Sequence, residues 1–542
     1  MENRQDLRSI LPYLPLVMRS SSLFWPSQVV ESLKQLDRVN SGHQLFRAIS
    51  DLRTSLSLSS EPLSPSAADG YALFFDDLMS REESRKWFQE VVPALGILLL
   101  RLPSLLEAHY QNADRVLDEE GGLVRTGLRL LDSQEPGIVF LSQELIAALL
   151  VCSFFCLFPV NERYGKHLQS INFDELFGSL YDYYSQKQES KIQCIIHYFQ
   201  RITSNMPQGV VSFERKVLPL EDDYIHISYP NADVWSTSII PLCRFEVHSS
   251  GLIEDQLSEA VEVDFANEYL GGGALRRGCV QEEIRFMISP ELIVGMLFLP
   301  SMADNEAIEI VGVERFSSYT GYASSFRFSG SYVDERDVDT LGRRKTRIVA
   351  IDALCSPGMR QYRPEFLLRE INKAFCGFLY GSKHQLYQKI LQEKGCPSTL
   401  FDTATSTPME TSEGKCSNHE IRDSQNDYHR MEQCNNIGVA TGNWGCGAFG
   451  GDPEVKTIIQ WLAASQALRP FIAYYTFRLE ALHNIDKVAH WILSHRWTVG
   501  DLWNMLTEYS MNRSKGGTNV GFLQWVLPSM YDDAGMDFSN IP

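Results

Sequence analysis

Basic residues are in short supply: 49 Lys plus Arg stand against 68 Asp plus Glu, a balance of 49 − 68 = −19. A surface of that sign does not wrap DNA or RNA by neutralising phosphates, and direct nucleic-acid binding is not expected. Paired cysteines are missing as well. The eleven present are scattered from Cys152 to Cys446 with no C-x-x-C, which fits neither a disulfide framework nor a zinc ribbon and points to a reducing compartment. No apolar run is long. The strongest, Gly137 to Pro159, holds Gln143 and Glu144 and leaves about 14 uninterrupted residues, short of the roughly 20 of a membrane span. It reads as a buried helix, and no membrane association is expected. The opening residues, Met1 to Asp6, lack a basic-then-apolar layout, so no export signal is expected. No H-E-x-x-H or carboxylate cluster suggests a catalytic metal, and no cofactor is expected.

What is there describes a folded chain. With 44% hydrophobic and 22% charged residues, most of its 542 residues bury enough apolar surface to offset ordering entropy. That length suggests roughly two to four packed units. Residues 1–230 read mainly as helix. Ser80-Arg81-Glu82-Glu83 is a capping-box pattern, followed by Trp87, Val91, Leu95 and Leu98 on one helix face; Asp174 to Gln186 and Ser190 to Ser204 are further helical stretches. His109, His167 and His197 are isolated, and no chemical motif stands out in this part. From about Ile239 strands and helices alternate. Val261 to Phe265, Ile308 to Val313, Arg347 to Ala353 and Phe471 to Phe477 read as strands, and Glu365 to Phe378, Lys456 to Leu468 and Thr498 to Met511 as helices. That order implies a layered α/β domain over 231–542 with a mostly parallel or mixed sheet. Residues 383–437, polar and without a hydrophobic period, are expected to be a disordered insertion; the spacing of Cys396, Cys416, Cys434, His419 and His429 is not that of a zinc finger.

The densest chemistry runs from Val263 to Phe286. A strand ending in Asp264-Phe265-Ala266-Asn267 leads into Gly271-Gly272-Gly273, and seven residues later comes Gln281-Glu282-Glu283. Three glycines permit positive φ and leave backbone N–H groups uncovered, so the loop is either an anion cradle or a tight turn. A second glycine-rich loop, Gly442-Asn443-Trp444-Gly445-Cys446-Gly447-Ala448-Phe449-Gly450-Gly451-Asp452, precedes a helix, whose N-terminus is expected to aim N–H groups at phosphate oxygens. Neither loop is read as a P-loop or as the fingerprint of a standard dinucleotide fold. Two such loops suggest a pyrophosphate ligand. Between the glycines and the Glu pair, Arg276 and Arg277 either meet phosphates or form a solvated loop, and Gly342 to Arg347 is either a nuclear-import signal or a solvated basic turn.

These residues resemble the active-site pattern of the poly(ADP-ribose) glycohydrolases. The resemblance extends through Tyr319-Thr320-Gly321-Tyr322-Ala323, Ile348 to Ala353, the Gly442-to-Asp452 loop and Tyr475-Thr476-Phe477. It takes in most of residues 240 to 510 apart from the polar insertion, and the helical first part looks like the accessory domain of the plant members. The resemblance implies a macrodomain-like α/β/α sandwich with a mixed sheet, holding ADP-ribose. It implies Glu283 at the ribose–ribose glycosidic bond, Glu282 and Asn267 on hydroxyls of the scissile ribose, and Asp264 and Gln281 in support. Tyr322 would close over the ligand, Phe477 would stack on adenine, Asn443, Gly445, Gly447, Ala448, Phe449 and Gly450 would line the phosphate loop, and Gly271, Gly272 and Gly273 would form the family's own loop. Protein-attached poly(ADP-ribose) is the implied partner and ADP-ribose the product. The chain is then expected to be a monomer of the nucleus and cytoplasm with a place in the DNA damage response.

Geometry constrains the mechanism. Glycosidases commonly place two carboxyl groups face to face, about 5 Å apart for retention and roughly 6.5–9.5 Å for inversion. Glu282 and Glu283 are adjacent, so on a helix they diverge by about 100° and cannot flank one bond in that way. One carboxyl is more economical: protonated Glu283 donates to the departing oxygen, then activates water. For this its pKa should be raised, with Glu282 and the diphosphate pushing it up. The bare alternative for the pair is two solvated glutamates in the first turn of a helix. For the whole chain the rivals are a non-catalytic macrodomain reader of ADP-ribose and a hydrolase of mono-ADP-ribosyl groups.

Overall fold

The computed structural model describes residues 3–116, 123–220, 228–256, 259–380 and 436–527. All but the last two residues of the expected insertion 383–437 lie outside the described residues. The chain forms two compact units, Met1–Val217 with Glu262–Ala353, and Leu218–Val261 with Leu354 onward. Their sheets use strands β1 (Gly137–Ser142), β2 (Val210–Val217), β3 (Arg244–His248), β4 (Ala260–Ala266), β5 (Glu306–Val311), β6 (Arg347–Asp352), β7 (Gly438–Gly442) and β8 (Phe471–Tyr475).

In the first unit the strand order is β1-β2-β5-β6-β4. Neighbours are antiparallel except β6 and β4, which run parallel with Ala350 opposite Asp264 and Asp352 opposite Ala266. The run from Gly137 to Pro159 is therefore not one helix. Its first six residues are an edge strand, and Ser142 ends it by accepting the Leu145 N–H as cap of helix α2 (Gln143–Phe154). A continuous apolar run does not by itself separate a buried strand from a buried helix, and here it contains both.

The remaining helical expectations of this unit hold. Ser80 and Glu83 form a capping box, and the helical run continues through a wide turn, Trp87–Val91, into α1 (Val92–Asn112). By length and composition Arg81–Asn112 is long and apolar enough to cross a membrane, a stretch the sequence analysis passed over. In the fold its Trp87, Val91, Leu95 and Leu102 are buried. His109 is structural: its Nε2 accepts the Leu128 N–H, and burial pushes its pKa down to about 4. Helices α3 (Asp174–Asp182) and α4 (Gln186–Ser204) follow, with Ile192, Ile195, Ile196 and Phe199 of α4 buried. One apolar core runs from Leu7 to Ala350 and takes in α1, α2, α4, β2 and β6 together with helix α5 (Gln281–Ile288). Each fully buried Leu, Ile or Phe in it contributes about 1.5–3 kcal/mol, so the N-terminal helices and the segment carrying the Glu pair are welded into one unit.

In the second unit β7 and β8 are parallel, as are β8 and β3. Helices α6 (Pro364–Phe378), α7 (Pro453–Gln466) and α8 (Val499–Ser514) match the periods seen in the sequence, and Thr498 caps α8 with Asp501 as its box partner. Buried Lys456 pairs with buried Glu370, joining α7 to α6.

Candidate active site

Strand β4 ends at Ala266, and the chain turns at Asn267, whose Oδ1 accepts the Tyr269 N–H. Gly271 and Gly272 take φ of +88° and +48°, the left-handed region where other residues are strained. The reason for glycine is also spatial. A Cβ on Gly272 would lie 2.5 Å from Oε2 of Glu282 and 2.9 Å from Oε1 of Glu283, and one on Gly278 would lie 2.6 Å from Oε1 of Glu283.

The glutamates occupy the first turn of α5, as the bare alternative has it, but they are not solvated: Glu282 is 3% and Glu283 7% exposed. Glu282 accepts N–H groups of Asn267 (3.0 Å) and Gly271 (2.6 Å), one on each oxygen. Glu283 accepts those of Gly273 (2.9 Å) and Val280 (2.8 Å). The expected divergence of the two side chains is corrected: their carboxyls converge on the glycine loop, with Oε2 of Glu282 and Oε1 of Glu283 both within 2.9 Å of the place a Gly272 Cβ would take. Gln281 closes the other side, accepting the Phe265 N–H at 2.8 Å and donating to the Val263 carbonyl at 3.1 Å.

Electrostatically the cluster is crowded. Asp264 is 1% exposed, and neither of its oxygens has a hydrogen-bond partner among the described residues. Burial, then the nearby Glu283 charge, pushes its pKa up to about 8. Burial also raises Glu282 well above the carboxylate range, with Asp264 and Glu283 adding to it. Glu262, one residue pair back on β4, differs: burial pushes it up, but Arg285 and Arg336, at 3.0 and 2.6 Å, hold it below the usual range. Burial thus biases both Asp264 and Glu282 towards their protonated forms. Tyr322 is 54% exposed on the turn after Ser317–Thr320; burial of its hydroxyl raises its pKa, with the Gln281 backbone, Glu283 and Cys279 as its other neighbours.

In the second unit the glycine loop joins β7 to α7. Gly445, Gly447 and Gly450 have G-x-G-x-x-G spacing between strand and helix, so the reading that set this pattern aside is corrected. A second correction concerns the helix end. Asp452 caps α7 and accepts the Glu454 and Val455 N–H groups, and Pro453 has none, so those amides are taken. The open donors lie within the loop itself: among the described residues the N–H groups of Gly445, Gly447, Ala448 and Phe449 have no partner, while those of Gly450 and Gly451 bond to Gly447 and Gly445. Asp452 is fixed in turn by the Tyr362 hydroxyl at 2.6 Å, and its N–H by Gln361 at 2.6 Å. Asn443 donates to the Thr476 carbonyl at 3.1 Å. Phe477 is 49% exposed at φ +51°, so a large aromatic side chain is held in the left-handed region and left open to solvent.

Comparison with known proteins agrees with the family resemblance. Residues 79–215 match the family model for the helical domain of poly(ADP-ribose) glycohydrolase, and 232–484 the model for its Macro domain fold. Poly(ADP-ribose) glycohydrolase 1 of Arabidopsis thaliana is 59% identical, with 98% of each chain covered. The chain belongs to the poly(ADP-ribose) glycohydrolase family. A second Arabidopsis thaliana relative, probable poly(ADP-ribose) glycohydrolase 2, is 54% identical over 98% of this chain and all of its own. Poly(ADP-ribose) glycohydrolase 1 of Caenorhabditis elegans is 30% identical over 59% of this chain. The expected fold class, a macrodomain preceded by a helical domain, is that of the poly(ADP-ribose) glycohydrolase family, and the high identity to plant members supports the plant type.

Lys191, Gln188 and Lys187, which bond to the carbonyls of loop 273–278 from α4, belong to no motif in the sequence. The one available signal was a lysine beside Ile192, at the edge of an apolar stripe. The basic run Gly342 to Arg347 is a turn whose charges are paired: Arg343 with Asp339, Arg344 with Glu314, Lys345 with Asp337 and Arg347 with Glu309.

Proposed function

We propose that the chain hydrolyses the ribose–ribose O-glycosidic bonds of protein-attached poly(ADP-ribose), releases ADP-ribose and so reverses the modification, with Glu283 as general acid and then general base. The observation that carries this reading is Glu283 itself, a buried carboxyl pinned on both oxygens by the N–H groups of Gly273 and Val280. In the forward step Glu283, carrying a proton, donates it to the departing ribose oxygen as the C–O bond breaks and an oxocarbenium-like species forms. The carboxylate left behind takes a proton from water, whose oxygen bonds to the anomeric carbon, and the acid is restored. Glu282 acts chiefly on the loop, through Asn267 and Gly271, and its remaining lone pairs face the ribose hydroxyls. Asp264 supports both by holding a proton, so that no charge of its own is added beside them. Tyr322 closes over the ligand, the four open amides of Gly445, Gly447, Ala448 and Phe449 take the diphosphate, and Phe477 stacks on adenine.

A reader of ADP-ribose is the second reading. Against it stands the cost of three buried carboxyl groups in and beside the loop, which a binder without chemistry has no use for. Incubating labelled poly(ADP-ribose) with the chain separates the readings: release of ADP-ribose supports hydrolysis, whereas calorimetric ADP-ribose binding with intact polymer supports the reader. A mono-ADP-ribosylated protein offered in parallel should be left unchanged. The reading includes a monomer of the nucleus and cytoplasm acting after DNA damage, checked by light scattering and by imaging a tagged chain.

A further inference from the structure

The helical part contains no chemical motif in its sequence, yet it reaches the catalytic loop. Lys191 of α4 is 0% exposed, and its ammonium donates to the carbonyls of Gly278 (2.6 Å), Arg276 (2.7 Å) and, at longer range, Gly273 (3.4 Å). Three N–H donors thus meet three carbonyls of one loop. Gln188, on the preceding turn of the same helix face, donates to Arg276 O at 3.2 Å, and Lys187 donates to Arg277 O at 3.1 Å. The loop fixes part of itself: the Gly273 carbonyl accepts the Arg276 (2.9 Å) and Gly278 (3.1 Å) N–H groups, and Ala274, Leu275 and Cys279 pack into the core. The Arg276 and Gly278 carbonyls take no backbone N–H among the described residues, and these are the two that Lys191 holds most closely. Gly273 links the two halves: its carbonyl faces Lys191 while its N–H donates to Glu283 Oε1 at 2.9 Å.

We propose that Lys191 is a positioning residue for the reaction, holding loop 273–278 by its carbonyls so that the Gly273 and Val280 N–H groups fix the carboxyl of Glu283. The helical domain is then a working part of the site. This rests on the role proposed for Glu283. The charged and titratable groups facing Lys191 are Glu283, Cys279, Cys194 and Lys187; burial, opposed by Cys279 and Glu283, brings its pKa down to about 8. Above that pH a neutral amine offers two donors to three carbonyls.

The test uses the full chain with Lys191→Met and Lys191→Gln, measuring kcat and KM on labelled poly(ADP-ribose), thermal unfolding, and kcat against pH. Expected are a loss in kcat of about tenfold or more with KM within about threefold, as for a misplaced catalytic group, and a wild-type kcat that falls on an alkaline limb near pH 8 which Lys191→Gln lacks. If Lys191→Met does not fold, Lys191→Gln and the wild-type limb decide. A folded Lys191→Gln with kcat within about fivefold of wild type overturns the assignment, as does an alkaline limb that Asp264→Asn removes and Lys191→Gln leaves unchanged. Wild type that releases no ADP-ribose from the polymer refutes instead the proposed function.

Discussion

Gly278 offers a perturbation whose size is set by geometry. It has no left-handed φ, so Gly278→Ala adds a methyl group without backbone strain of that kind. That methyl would lie 2.6 Å from Oε1 and 2.7 Å from Cδ of Glu283, about 0.8 Å inside ordinary contact, and 2.9 Å from the Cα of Gly273. Backbone bars one way out, so the carboxyl moves and loses the Gly273 hydrogen bond. Overpacking costs about 1–3 kcal/mol and the hydrogen bond about 1 kcal/mol, which lowers Tm by several degrees. The catalytic cost is larger, because a displacement of about 1 Å can lose ~10²-fold in rate. Gly447→Ala is the stability control, since nothing lies within 4 Å of its added Cβ. The assay is initial-rate ADP-ribose release from labelled polymer, beside thermal unfolding. A folded Gly278→Ala with wild-type kcat refutes the claim that loop 273–278 sets the position of Glu283.

Further expectations concern protons, strain and salt. Asp264 holds its proton to about pH 8 in the folded chain but releases it near 4 when unfolded, so its contribution to stability is full below about pH 4 and lost as pH rises through 8; the Tm of Asp264→Asn minus that of wild type should widen from pH 5 to pH 8, and a constant gap contradicts this. Phe477→Gly removes an exposed ring and relieves a φ of +51°, so Tm should hold or rise while ADP-ribose affinity in calorimetry falls about tenfold or more; unchanged affinity removes Phe477 from the adenine. With neutral amides rather than a basic track taking the diphosphate, KM for the polymer should change by less than about threefold between 50 and 200 mM salt, and a loss nearing 10³-fold contradicts it.

Much of the site was legible in the sequence because its parts lie close together. Asp264, the three glycines and Gln281-Glu282-Glu283 fall within twenty residues, and β4 and β5 follow from period-two alternation, β6 and β8 from β-branched or aromatic runs. The direction of the glutamates was only half legible. Adjacent helical residues are expected to diverge, yet both carboxyls meet beside Gly272, in a loop that depends on positive φ at Gly271 and Gly272. The cap at Asp452 was hidden by attention to the glycines before it, and β1 by the apolar run it shares with α2. Lys191 was not legible, since its partners are backbone carbonyls more than eighty residues away, with no side-chain pattern to announce them.

The central claim is that Glu283 moves the proton. In Glu283→Gln the amide still accepts from one N–H group but has no acid proton to give, so kcat on labelled poly(ADP-ribose) should fall by about 10²–10⁴-fold while ADP-ribose binding by calorimetry stays within about threefold. Equal release of ADP-ribose by wild type and a folded Glu283→Gln contradicts it.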